Sequence, residues 1–238
     1  MRDHIALLPG WGFAPSVLQP LADALREQAP NFHVTIYPLP RGPADSWLAQ
    51  LDASVPADAW LLGWSLGGQL AQALAAQRGE ACPGVISVAS NPSFVPRDNW
   101  PHALPMATLD AFSEGLASAP QATLKRFSVL CAQGATDARD VARTLQGQLD
   151  LAEHLQAGLA LLADMDNRAL LQHYLGPQLH LFAGHDALVP AEAAGDLLAL
   201  LPDVEVLLVE DACHALPIEC PALLAEAVMQ FVHEAGDD

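Results

Sequence analysis

Short apolar runs recur along the chain, and each is followed by a stretch whose hydrophobic positions have helical spacing. Ile5–Leu8 leads through Pro9-Gly10-Trp11-Gly12 into a helix expected near Val17–Gln28. Phe32–Tyr37 precedes a proline-rich turn and a helix near Ser46–Ala53. Trp60-Leu61-Leu62 runs into Gly63-Trp64-Ser65-Leu66-Gly67-Gly68 and then an alanine-rich helix over Gln69–Gln77. Val85–Ala89 is the next strand. Late in the chain come Leu179–Phe182, a helix over Ala191–Leu200, the run Val204–Val209 and a closing helix over Ala222–His233. Strands alternating with helices predict an α/β fold, a mostly parallel sheet with helices on both faces.

The alternation stops between Pro92 and Gly176. Helices are expected there near Ala107–Ala117, Gln121–Ala132, Asp137–Leu162 with a break, and Arg168–Tyr174. An all-helical insertion after a central strand reads as a lid over the carboxyl edge of the sheet, where open α/β folds bind ligands. The expected division is a core of residues 1–93 and 177–238, with a helical lid over 94–176.

Composition narrows the function. Charged residues make up only 16% of the 238, against 52% hydrophobic ones, so disorder is excluded. No apolar run reaches the ~18–20 residues of a membrane span, and Ile5–Leu8 is too short for a signal-peptide core. A cytoplasmic location is therefore expected. Cys82, Cys131, Cys213 and Cys220 form no C-x-x-C pair, so neither a metal nor a disulfide framework is expected, and no cofactor is called for. The net charge of −18 opposes binding to nucleic acid or to an anionic membrane. Six of the ten basic residues nevertheless fall within 97–168.

The candidate chemistry begins at Gly63-Trp64-Ser65-Leu66-Gly67, a G-x-S-x-G string set between a strand and a helix. A serine N-cap beside glycines could carry the same letters. The strand before and helix after it favour a nucleophile held on a sharp turn. Flanking glycines avoid collisions there, and the amide of Leu66 faces developing negative charge. A serine hydroxyl needs a base, and in this arrangement an acid and then a histidine follow the serine in chain order. Of nine histidines, only His214 lies just past the last strand, in Asp211-Ala212-Cys213-His214-Ala215-Leu216-Pro217. Asp186, in Gly184-His185-Asp186-Ala187-Leu188-Val189-Pro190, follows a strand and reaches the same edge; Glu210 and Asp211 are its rivals. The Trp11 amide, in the loop after the first strand, is the second candidate oxyanion donor.

These motifs together resemble the α/β-hydrolase superfamily. Within it the chain resembles BioH-type pimeloyl-[acyl-carrier protein] methyl ester esterases of biotin synthesis. The likeness extends into the insertion: Asn91-Pro92-Ser93-Phe94, Arg97-Asp98-x-Trp100-Pro101, Lys125-Arg126-Phe127 and Thr136-Asp137-Ala138-Arg139-x-x-x-Arg143. The resemblance implies a Ser65–Asp186–His214 triad, oxyanion amides at Trp11 and Leu66, and an acyl channel lined by Phe127, Ser128, Val129, Leu130 and Cys131. It implies Arg126, Arg139 and Arg143 as contacts to an acidic acyl-carrier protein; a monomer is expected. Arg139 and Arg143, at i and i+4, share one helix face. Two departures stand out. The first strands usual in the fold are expected to be missing, and Cys131 stands where a larger polar residue is expected. A short-chain carboxylesterase or thioesterase on free small molecules, or a non-catalytic receptor on the same fold, are the rival readings. An aspartate-dependent dehalogenase or epoxide hydrolase is disfavoured by Ser65.

Overall fold

In the computed structural model, residues 3–151 and 154–236 are described. Six strands form one sheet: β1 (His4–Leu8), β2 (His33–Ile36), β3 (Trp60–Trp64), β4 (Val85–Val88), β5 (Gln178–Ala183) and β6 (Glu205–Val209). Their order is β2-β1-β3-β4-β5-β6, and every pairing among the described residues is parallel. The central strands β3, β4 and β5 are buried throughout, as a sheet covered on both faces requires.

Eleven α-helices are described: α1 (Gln19–Gln28), α2 (Trp47–Ser54), α3 (Leu66–Arg78), α4 (Met106–Ser118), α5 (Pro120–Cys131), α6 (Ala138–Gln146), α7 (Leu155–Asp164), α8 (Arg168–His173), α9 (Ala193–Leu200), α10 (Leu216–Glu219) and α11 (Pro221–Gly236). From β1 the chain steps outward to β2, whereas every later step runs the other way across the sheet. Because parallel crossovers are right-handed, α1 is thrown onto one face and α2, α3 and α9 onto the other. In keeping with this, α1 packs on α11, and α3 packs on α2 and α8. The carboxyl ends of β1 and β3, where the direction reverses, open a crevice between the two helical layers.

Several elements differ from their sequence expectations. Residues 15–18 form a 3₁₀ turn, so α1 starts at Gln19. Helix α3 begins directly after Ser65, taking Gly67 and Gly68 into its first turn. The break expected within 137–162 is present, between α6 and α7, and begins at Gly147. Ala152 and Glu153 within it lie outside the described residues, as do Met1, Arg2, Asp237 and Asp238. The short α10, after His214, had no periodic signature because it is a single turn. No described helix is long and apolar enough to cross a membrane.

One buried polar pair sits inside the sheet. Ser87 on β4 and His180 on β5 are register partners, and the serine Oγ lies 2.7 Å from His180 Nδ1. Burial pushes the imidazole down to about 3, well below its unfolded value near 6.5. The folded state thus keeps His180 neutral while the unfolded chain takes up a proton below pH 6.5. His180 therefore contributes stability above pH 6.5 that is lost as the pH falls toward 3. The slope is up to about 1.4 kcal/mol per pH unit. Replacing both partners (Ser87→Ala with His180→Leu) is expected to flatten the pH dependence of urea-unfolding free energy between pH 6.5 and 4.5. An unchanged slope would show that His180 plays no part in acid sensitivity.

Candidate active site

The crevice is built around Ser65, whose backbone is at φ 57° and ψ −121°. That conformation is costly for a residue with a side chain, so its neighbours must enforce it. Backbone contacts do this. Ser65 N–H donates to Val88 O at 3.0 Å, and Ser90 Oγ donates to Ser65 O at 2.8 Å. A Cβ on Gly63 would collide with the backbone of Gly67, and one on Gly67 would collide with the carbonyl of Leu8. The turn is possible only because strand and helix approach more closely than side chains permit.

The register partner of Gly63 is Leu8, so the loop after β1 runs directly beside the elbow. A Cβ placed on Gly10 would lie 3.3 Å from Ser65 Cβ. Trp11, next in that loop, is fully buried. Leu66 opens α3, so its N–H has no intrahelical acceptor and points with the helix N-terminus into the same space. The loop that carries Trp11 and the first residue of α3 thus both border the serine.

His214 arrives from the far edge of the sheet. Its Nε2 is 3.0 Å from Ser65 Oγ, and its Nδ1 is 2.8 Å from Asp186 Oδ2. Asp186 Oδ1 accepts the amides of Leu188 and Val189 at 2.8 and 2.9 Å, fixing the carboxylate at the N-terminal turn after β5. Both side chains are buried. A neutral imidazole whose Nδ1–H donates to Asp186 leaves Nε2 as an acceptor for the serine proton. The rivals Glu210 and Asp211 are exposed at the surface. Cys131 and Cys213 lie near enough for the Asp186 charge to act on both thiols. Burial, the larger effect, pushes both up, Cys213 to about 12; the Asp186 charge adds to it at Cys131, and Glu219 adds more than Asp186 at Cys213. Neither thiol can be the nucleophile near neutral pH.

Three supports were invisible in the sequence. Residues 148–150, between α6 and α7, are stitched to the loop after β1. Ala14 N–H donates to Gln148 O at 2.8 Å, Asp150 N–H donates to Gly12 O at 2.9 Å, and Phe13 bridges Leu149. The Trp11 indole N–H donates to Leu155 O on α7 at 2.8 Å, and Gly158 lies against the Trp11 ring. Glu219 on α10 accepts the Cys213 amide at 2.9 Å, bracing the histidine loop. Trp64 donates its indole N–H to His214 O at 2.8 Å. Of these side chains Trp64, inside the G-x-S-x-G string, and Trp11 stood in motifs legible in the sequence, but neither indole contact was.

The segment 127–131 does not share one face. It is a continuous stretch of α5, so Phe127 and Cys131, at i and i+4, point inward, and Ser128 is buried beside them. Phe127 packs edge-on to Trp11 at 4.8 Å and to Phe112 at 5.5 Å. Val129 is 54% exposed, and with Leu130 it lines a separate outer cavity of about 500 Å³ with Phe112, Lys125 and Arg126. The helical period of 3.6 forbids five successive residues from lining a single channel, which corrects the expectation for Val129 and Leu130. Arg126, Arg139 and Arg143 are exposed, and Arg143 pairs with Asp140 at 2.6 Å. Among the described residues no cluster of metal-ligating side chains occurs.

The family model for the alpha/beta hydrolase fold matches residues 44–221. The chain belongs to the α/β-hydrolase family. This hydrolase is 38% identical to the biotin biosynthesis bifunctional protein BioHC of Cellvibrio japonicus, over 97% of its own length and 47% of that relative's. It thus spans about half the length of that bifunctional protein. It is 35% identical to the pimeloyl-[acyl-carrier protein] methyl ester esterase of Aromatoleum aromaticum, over 95% of its own chain and 98% of the other. Among solved structures, a bromoperoxidase from Bacillus anthracis superposes with a TM-score of 0.80 at 19% identity, covering 97% of this chain and 92% of that one. That likeness is one of fold.

The two amides on Asp186 Oδ1 make a specific outcome expected for Asp186→Asn. The asparagine oxygen will keep those amides, which turns its NH₂ toward His214 Nδ1. The imidazole must then carry its proton on Nε2 and cannot take one from Ser65. Labelling of Ser65 by a fluorophosphonate is expected to slow roughly 1,000-fold or more, with the thermal midpoint little changed. A rate within tenfold of wild type would refute the orienting role.

Proposed function

We propose that this protein is a serine carboxylesterase that hydrolyses the methyl ester of pimeloyl-[acyl-carrier protein], releasing methanol. The observation that carries the reading is the hydrogen-bonded series Ser65–His214–Asp186, at 3.0 and 2.8 Å, on a strained elbow. Identity of 35% over nearly the whole length of a relative with that name supports the substrate.

The chemistry follows from the geometry. Ser65 Oγ attacks the ester carbonyl while His214 Nε2 takes its proton, and the amides of Trp11 and Leu66 receive the oxyanion. Collapse of the tetrahedral intermediate expels methoxide, which takes the proton from His214 and leaves as methanol. Water, deprotonated by the same imidazole, then attacks the acyl-enzyme, and the free carboxylate departs. No cofactor is called on for any step.

Helices α4–α7 serve as the lid within the 94–176 insertion, over a core of residues 1–93 and 177–238. Ser65 is only 3% exposed, so substrate has to displace part of this roof to reach it. Phe127 and Cys131 face the acyl chain from within. Arg126, Arg139 and Arg143 meet the acidic carrier outside, with Arg143 exchanging Asp140 for a carrier carboxylate. Exposed ion pairs of this kind are weak enough to exchange. The protein acts as a cytoplasmic monomer, with no nucleic acid or membrane as partner.

Two measurements test this reading. Ser65→Ala is expected to abolish ester hydrolysis and fluorophosphonate labelling; retained turnover would sink the mechanism. Charge reversal of all three arginines is expected to lower kcat/KM for the carrier-linked methyl ester by roughly 10- to 100-fold, with p-nitrophenyl acetate turnover unchanged. Equal loss on both substrates would point instead to an esterase for free small molecules.

A further inference from the structure

The base reaches the nucleophile over a long path. His214 follows β6, which is three strands from β3, so about 14 Å of sheet must be recrossed at the usual strand spacing. Only five residues lead from Val209 to His214, and a fully extended stretch of that length spans about 17 Å. Part of that length is taken up by a turn, Ala212 N–H donating to Val209 O at 3.3 Å, so the placement of the histidine depends on contacts from outside the loop. Asp186 restrains the imidazole from behind, and Glu219 holds the amide of Cys213. Neither contact refers the base to the elbow itself.

Trp64 does. It is the last residue of β3, covalently next to Ser65, and its indole N–H donates to the backbone carbonyl of His214 at 2.8 Å across 150 positions of sequence. The ring is 1% exposed and lies between two others, stacked on Phe13 at 5.3 Å and tilted against the His214 imidazole at 5.7 Å. The backbone of Gly10 rests on its face: a Cβ there would come within 3.0 Å of Cε3. One side chain thus touches the loop after β1 and the base loop while being anchored in the elbow.

We propose that Trp64 is a positioning residue that sets the distance between His214 Nε2 and Ser65 Oγ through its hydrogen bond to the His214 carbonyl. This rests on the triad reading above and adds to it a fixed reference for the base. Trp64 takes no part in proton transfer. Its loss leaves the chemical groups intact but removes the contact that refers the imidazole to the elbow.

The test uses Trp64→Phe, which keeps an aromatic ring and removes the donor. A second variant carries benzothienylalanine at position 64, which keeps the bicyclic shape and replaces the ring N–H with sulfur. Turnover of p-nitrophenyl acetate is normalised to sites titrated by a fluorophosphonate, so unfolded protein does not count. Both variants are expected to lose about tenfold in kcat per titrated site, with KM within twofold of wild type. Trp60→Phe, on the same strand but away from the site, is expected to lower the thermal midpoint with kcat per site unchanged. Wild-type kcat per site in the benzothienylalanine variant would overturn the proposal, whatever the phenylalanine variant does. Failure of the wild type itself to be labelled would instead overturn the triad reading.

Discussion

A serine held at φ 57° is the constraint on which the rest of this structure depends. Such a backbone costs on the order of 1–3 kcal/mol and persists only where the surroundings over-determine it. Here the surroundings are backbone approaches too close for a side chain, between β3, the first turn of α3 and the end of β1, at glycines 63 and 67. The same closeness has a chemical consequence. It brings the start of α3 and the loop after β1 beside Ser65, where on the proposed function negative charge would develop during acyl transfer. The strained elbow and the meeting of these segments at Ser65 are two results of one packing arrangement.

The three loops that meet at this point belong to different parts of the sheet, and each is tied to something that is not its neighbour in sequence. The loop after β1 is bound to residues 148–155 through backbone hydrogen bonds and the Trp11 indole. The acid loop is bound to the histidine loop, His185 N–H donating to Ala212 O at 2.9 Å. The histidine loop is bound to Trp64. Preorganised electrostatic catalysis requires groups that do not have to move when charge develops, and cross-bracing of this kind supplies it.

These long-range ties explain what could and could not be read from the amino-acid sequence. The strands Ile5–Leu8, Val85–Ala89 and Leu179–Phe182 were legible because both faces of each are buried, which leaves continuous apolar runs. Ser65, Asp186 and His214 were legible because each lies within five residues of a strand's carboxyl end, and the carboxyl ends of parallel strands share one edge. The clasp at residues 148–150 was not legible: Gln148-Leu149-Asp150 has no periodicity, and its partners lie more than 130 positions away. The inner and outer faces of α5 were readable in principle from a period of 3.6. Treating residues 127–131 as one lining ignored that period. The exposed run Leu207-Leu208 on β6 looked like a core strand, because an apolar edge strand and a buried one have the same letters.

Helix α5 also shows how one element can serve two kinds of recognition. Arg126 and Phe127 are adjacent in sequence, yet about 100° of helical rotation separates their side chains. The arginine is exposed and the phenylalanine is buried against Trp11. On the proposed function, the outward face meets the acidic carrier and the inward face meets the apolar acyl chain, so a single rigid helix fixes the distance between the two. Cys131, one turn beyond Phe127, then ends the inner face. Its thiol is fully buried and kept neutral by burial and by the nearby Asp186 charge. A neutral thiol there behaves as a small apolar group, where a larger polar side chain would bring a group in need of hydrogen bonds. On the proposed function, the inner face of α5 at that point would meet the acyl chain with an apolar group rather than a polar contact.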